Sequence, residues 1–191
     1  MTLSKIMDTT EGVHKPLGRY IFNNVQFSKH DPIVEKLRAA NYSIINHPTD
    51  DSGVLVTFPV ACDSVPFDNV DGKFVNLDSA VTQLEKYKML QTSWNQQNTS
   101  VTISYDVSET DAIIDWLMDN WDCYVGVSFI YRADPTKTAK DLGYLYLPQE
   151  VVTEKDFKEY SSTLLPVDLS NTSSFDEITD AECATGACPV K

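Results

Sequence analysis

Three runs, Ser100-Val-Thr-Ile-Ser-Tyr105, Ser108 to Trp121 and Tyr124-Val-Gly-Val-Ser-Phe-Ile130, follow one another with only short breaks between them. In the first, polar and apolar residues alternate, which puts Val101, Ile103 and Tyr105 on one face of a strand. The second carries Ile113, Trp116, Leu117 and Trp121 as a wide apolar helical stripe, with Ser108 and Asp111 spaced as a capping box. In the third, Val125, Val127 and Phe129 alternate again. Strand, helix and strand in immediate succession predict an α/β architecture, because each element buries its apolar face only against the next.

Working outward from this centre, Asp78 is positioned to cap a helix through Val81, Leu84, Tyr87 and Leu90 that ends near Trp94. Val54 to Val60 is rich in β-formers, and Pro59 within it marks an edge or a strand end. Cys62 to Lys73 reads as a loop. Asp31 followed by Pro32 starts a short helix with Ile33, Val34, Leu37 and Ala40 on one face. The stretch up to about Gln26 reads as a loop followed by a short apolar segment. On the C-terminal side, Thr153 and Asp156 cap a helix packed through Phe157, Tyr160 and Leu164. From Pro166 onward the chain is acidic, rich in Ser and Thr and poor in apolar residues, which predicts a globular region over 1–165 and a flexible tail over 166–191.

Composition narrows the function. The 191 residues include 15 basic and 28 acidic side chains, a formal net charge of −13, so a grip on nucleic-acid phosphates by counterion release is excluded as the expected activity. No apolar run approaches the length of a bilayer span, and Met1 to Asp8 show no basic region followed by an apolar stretch, so a cytoplasmic protein with no membrane partner is expected. Neither a Gly-rich phosphate loop nor a local Ser/His/Asp constellation is visible.

Two of the four cysteines, Cys183 and Cys188, lie in the last nine residues, separated by Ala-Thr-Gly-Ala. Small residues between two thiols let them close a disulfide at little steric cost. A coil of the 17 residues from Pro166 to Glu182, ahead of Cys183, reaches roughly 20–25 Å. By residue type alone the pair fits a redox arm and an inert dithiol equally; a zinc site would need two further ligands, and His14, His30 and His47 lie at the far end of the chain. Cys62 and Cys123 read as small buried apolar residues, and His14 as a loop histidine that holds backbone geometry.

Five segments in collinear order add to this. Glu11-Gly-Val-His14, Trp94-Asn-Gln-Gln-Asn-Thr-Ser-Val-Thr-Ile103, Trp121 to Lys137, Leu147-Pro-Gln-Glu-Val-Val-Thr153 and the ending Cys183-x4-Cys188-Pro-Val-Lys191 together resemble the C-terminal part of the adenosylcobalamin-dependent (class II, monomeric type) ribonucleoside-triphosphate reductases. Residues 41–90 carry the least of the likeness. The resemblance implies the terminal strands and helices of a ten-stranded α/β barrel, followed by a C-terminal extension. It also implies an oxidoreductase that makes deoxyribonucleotides for DNA synthesis, with adenosylcobalamin as cofactor of the complete enzyme. Cys183 and Cys188 stand where that family carries the dithiol that re-reduces the barrel cysteines and is recharged by a thioredoxin-type protein. Thr2 and Ser4 stand in part of a loop that binds substrate phosphate.

The barrel cysteines of that family precede the segments matched here, so the chain is expected to be either the downstream product of a split gene or a degenerate or partial gene product; the intact cysteine pair favours a split enzyme, with a complementary N-terminal polypeptide as partner, a ribonucleoside triphosphate as substrate, and no activity of this chain alone. No Asp-x-His-x-x-Gly pattern for cobalt coordination occurs, which leaves packing against the corrin as the expected contact. The competing expectation is a non-catalytic binding or regulatory protein that keeps a reductase-like fold.

Overall fold

The computed structural model describes residues 10–168, so Thr2, Ser4, Cys183 and Cys188 lie outside the described residues. Eight strands and four helices succeed one another there: β1 (Tyr20–Ser28), α1 (Pro32–Ala39), β2 (Ile44–Asn46), β3 (Gly53–Ala61), β4 (Asp68–Val70), β5 (Lys73–Val75), α2 (Ala80–Ser93), β6 (Thr102–Tyr105), α3 (Thr110–Asp119), β7 (Ser128–Tyr131), β8 (Gln149–Val151) and α4 (Glu154–Thr163). The chain divides into two compact units. Of the described residues, 10–23 together with 59–158 form the first, and 24–58 with 159–168 form the second.

In the first unit β6 and β7 pair in parallel, Ile103 opposite Phe129 and Tyr105 opposite Tyr131, with α3 as the connection. This is the α/β unit expected from the alternating runs. Its core joins Ala80, Leu84 and Tyr87 of α2 to Val101 and Ile103, and to Ile113 and Trp116 of α3. The Trp116 indole N–H donates to Glu85 at 2.6 Å, so a polar bond locks the two helices beside their apolar contact. The helix starts differ from expectation by a residue or two. Ser79, not Asp78, caps α2 by accepting from the Thr82 amide, and Asp106 with Glu109, not Ser108 with Asp111, makes the capping box ahead of α3. At the far end, the Thr153 hydroxyl and Asp156 bond reciprocally at 2.7 and 3.1 Å to open α4, as their spacing predicts.

The stretch expected to be loop, Cys62 to Lys73, contains half of an antiparallel hairpin, β4 with β5. Asp71 and Gly72 are its two turn residues, with φ of 50° and 83°, the left-handed pair that suits the twist of a tight hairpin. Strand β1, longer than the apolar segment expected there, pairs antiparallel with β8 through Ile21 and Val151.

The second unit is built on a smaller core. Val34 and Leu37 of α1 pack on Val54 and Val56 of β3, and Phe27, Tyr42, Phe58 and Val167 surround them. Asp31 caps α1 by accepting from the Ile33 amide, with Pro32 in the first turn. Strand β2 pairs with β3 only over Val54 to Val56, so Pro59 sits where the missing N–H costs no bond to β2. Past α4 the chain stays on this unit: the Leu165 amide donates to the Ala40 carbonyl at 3.0 Å.

The strand order of the largest sheet is β2-β3-β1-β8, and two two-stranded sheets, β4-β5 and β6-β7, complete the described strands. The α/β class is therefore met, while most pairs are antiparallel and the described strands do not close a ten-stranded barrel. Among the described residues no helix is long and apolar enough to cross a membrane.

Gly18 tests the packing of the first unit. A Cβ built there would lie 2.6 Å from the Phe74 carbonyl oxygen and 2.6 Å from a Val151 methyl, where neither backbone nor β-branched side chain yields easily. Gly18→Ala is expected to lower the urea midpoint by an amount equivalent to about 1–3 kcal/mol, the usual scale of overpacking. Gly72→Ala, with open space around it but a φ of +83°, is expected to cost about 1–2 kcal/mol through backbone strain alone.

Candidate functional site

A cleft of about 320 Å³ opens in the first unit between the Glu11–His14 turn, the residues around Asn76 and Asp78, α2 and β6. The turn exists because Gly12 takes a φ of +61°, which lets Glu11 and His14 bridge and the His14 amide reach the Glu11 carbonyl at 3.1 Å. The His14 ring then spans to β6. The Thr102 amide donates to Nε2 at 3.1 Å, so Nε2 is unprotonated, and Nδ1, 3.0 Å from the Glu11 carbonyl oxygen, carries the hydrogen. One tautomer is fixed by two backbone groups that lie 91 positions apart, as expected for a histidine that holds geometry.

Across the cleft, Asp78 accepts from Lys15 at 3.0 Å and from Lys86. Burial raises its pKa, but the hydrogen bonds and charges of Lys86 and Lys15 lower it by more, leaving the carboxyl below the ordinary aspartate value. Gln83, one turn into α2, uses its amide as a splint. Its Nε2 donates to the Ser104 carbonyl at 2.9 Å, and its Oε1 accepts from the Ser104 amide at 3.1 Å. The Asn76 side chain bonds the Lys15 carbonyl and the Asp78 amide, tying the approach to α2 onto the turn.

The chemistry available here follows from those bonds. With Glu11 counted, two ammonium and two carboxylate groups line the cleft and cancel. Lys15, Lys86 and Asp78 are committed to one another, and His14 and Gln83 to backbone, and no nucleophile of the cleft stands paired with a base. Among the described residues no three His, Cys, Asp or Glu side chains gather to hold a metal. The arrangement positions segments and offers a polar wall.

Of the residues singled out from sequence, Thr2 and Ser4 lead into this turn but lie outside the described residues, as do Cys183 and Cys188. Cys62 is free and buried, its sulfur 3.3 Å from the Ser64 hydroxyl, and Cys123 is free and half-buried. Sequence reading missed Lys15, Gln83 and Lys86 and assigned Asp78 to a cap. Ser79 caps α2, which leaves Asp78 to the two lysines. The only local signal was the spacing of Asp78 and Lys86 along one helix start; Lys15 is 63 residues away.

No protein-family model matches the chain. Over its whole length it is similar to curated reductases. It is 24% identical over 198 residues to the adenosylcobalamin-dependent ribonucleoside-triphosphate reductase of Lactobacillus leichmannii, covering 100% of this chain and 25% of that protein. It is 23% identical over 199 residues to the enzyme of the same name from Lacticaseibacillus paracasei, again covering 100% and 25%. The fold is similar to the crystal structure of a B12-dependent (class II) ribonucleotide reductase, with a TM-score of 0.71 and 22% identity over 86% of this chain and 22% of that one. The chain thus spans about a quarter of the length of the relatives it matches, and the resemblance carried by the five segments is met.

The Asp78 cluster has a pH signature. A carboxyl with a lowered folded pKa stabilises the fold above its unfolded pKa and loses that contribution as the pH falls through the folded value. Asp78→Asn is expected to lower the urea midpoint at pH 7, with the gap to the parent closing as the pH drops below about 4. A gap that stays constant with pH contradicts this role.

Proposed function

We propose that this chain forms the C-terminal quarter of an adenosylcobalamin-dependent ribonucleoside-triphosphate reductase and acts in complex with a polypeptide carrying the other three quarters. The observation that carries the reading is the similarity of the whole chain, end to end, to one quarter of such reductases, with the matching fold. In this reading β6, α3 and β7 belong to the ten-stranded barrel, and Thr2 and Ser4 belong to the loop that holds substrate phosphate, from which the Glu11–His14 turn leads into the cleft. The Asp78 and Gln83 contacts hold that turn against β6.

Cys183 and Cys188 are the relay. The dithiol passes two electrons and two protons to the disulfide formed in the barrel during ribonucleotide reduction and becomes a disulfide itself. A thioredoxin-type protein then returns it to the dithiol. The acidic, apolar-poor sequence from Pro166 supports a flexible arm for this exchange.

Adenosylcobalamin belongs to the complete enzyme in this reading. Among the described residues no donor set for cobalt is gathered, and both ring nitrogens of His14 are taken by backbone groups, so this chain's contact with the cofactor in this reading is packing against the corrin. No step is assigned to the cofactor on this chain.

Mixing the chain with the upstream polypeptide, adenosylcobalamin and a thioredoxin system tests the reading through deoxynucleotide formation. Neither polypeptide alone is expected to turn over, and the pair is. Cys183→Ser and Cys188→Ser are each expected to reduce thioredoxin-driven turnover to background, to leave one round of product intact, and to be partly bypassed by a small dithiol. Parental turnover by both variants with thioredoxin removes the relay assignment, and activity of the chain alone removes the two-polypeptide reading.

A further inference from the structure

In the second unit the C-terminal ends of α1 and α4 are stitched to each other, at the places where helical carbonyls have no partner inside their own helix. The Ala40 carbonyl, just past α1, accepts from the Leu165 amide at 3.0 Å, and the Thr163 carbonyl, at the end of α4, accepts from Asn41 Nδ2 at 3.0 Å. Asn41 has a φ of 68°, so one left-handed residue both turns the chain out of α1 and reaches α4. Within α4, the Tyr160 hydroxyl donates to the Thr57 carbonyl at 2.8 Å and accepts from the Ser43 amide at 2.9 Å. Beyond α4, Val167 packs on the core of α1 and β3, and the Lys36 ammonium donates to the Asp168 carbonyl at 3.2 Å. The first three residues of the stretch expected to be tail, Pro166 to Asp168, thus lie on a seat built by α1 and the turn after it.

We propose that the relay arm is hinged at Asp168, and that Asn41 and Val167 are positioning residues that fix the point from which Cys183 and Cys188 are carried. The inference rests on the relay proposed above. With the hinge in place the free arm is the 14 residues 169–182, with a reach of roughly 19–22 Å. With the seat undone back to the end of α4, the free arm is the 19 residues 164–182. The concentration of a tethered group at a fixed acceptor falls as about the −3/2 power of tether length, so release dilutes the dithiol about 1.6-fold. Neither residue touches a reacting sulfur in this scheme. They act by setting where the arm begins and how much of it is free, and the core of Val34, Leu37, Val54 and Val56 does not depend on the Asn41 bond.

Amide exchange on the 191-residue chain reads the hinge directly. In the parent, the Leu165 amide is expected to exchange at least about 10-fold more slowly than the amides of 169–182. Asn41→Gly keeps the left-handed turn and removes only the bond to Thr163, and Val167→Asp removes the apolar contact; together they are expected to erase that difference while exchange in β6 stays parental. In the reassembled enzyme the double variant is expected to lower thioredoxin-driven turnover by about 1.6-fold or more and to leave turnover with a small dithiol unchanged, while Val167→Ile matches the parent with both. Fast exchange of Leu165 in the parent, or protection that continues past Asp168, overturns the hinge. Parental thioredoxin-driven turnover after Leu165 has lost its protection overturns the positioning role, and so does an equal loss with both reductants, which marks a merely structural seat. Absence of turnover by the parental pair of polypeptides fails the relay itself, and it is told apart from failure of the hinge because exchange is read on this chain alone.

Discussion

The carboxylate of Glu109 holds the ends of four elements. Its Oε1 accepts from the Ala80 amide at 2.8 Å, the first N–H of α2, and its Oε2 accepts from the Asp106 amide at 2.8 Å and from Arg132 at 3.0 Å. Arg132, just past β7, also donates to the Ser104 carbonyl of β6 at 2.9 Å. The start of α2, the end of β6, the entry to α3 and the exit of β7 therefore meet on one largely buried ion pair. Apolar contact alone would leave helices free to slide along the sheet. A desolvated charge with directional partners fixes their register, and loss of one partner strands the other in a poor solvent.

The cleft follows from that fixed register. With α2 pinned at Ala80, Gln83 comes opposite Ser104 and Lys86 comes within reach of Asp78. The same side chains that shape the cleft are consumed in shaping it. A polar wall whose Asp78, Gln83 and Lys86 are already engaged positions segments, and under the function proposed above the reacting centre is completed by residues outside this chain.

Local chemistry was legible where a signal and its structural partner lie within a few residues. Asp31 with Pro32, Thr153 with Asp156, and the alternating runs on either side of α3 each name their own element. The errors at α2 and α3 are shifts among neighbouring capping residues: Asp78 and Ser79 both suit a cap, and tertiary ion pairs decided between them. The Asp71-Gly72 hairpin was readable from its dipeptide, but its strands are three residues each and offer no period. The cleft was hardest to foresee. His14 meets Thr102 across 88 residues and Lys15 meets Asp78 across 63, and no local pattern encodes such pairs. Only the Glu11-Gly-Val-His14 motif pointed there, through resemblance to known reductases.

Strand β6 has a second consequence. Val101 to Tyr105 is uncharged, free of proline and rich in β-branched and aromatic residues, the composition that stacks readily between chains. On the side away from β7, however, its backbone groups meet side chains: the Thr102 amide is taken by His14, and both the amide and the carbonyl of Ser104 by Gln83. An imidazole or a carboxamide answers a strand edge without offering a new edge of its own. On that side of β6 the Thr102 amide and both backbone groups of Ser104 are already taken, so the edge of a segment suited to fibril growth offers an incoming strand few groups to extend.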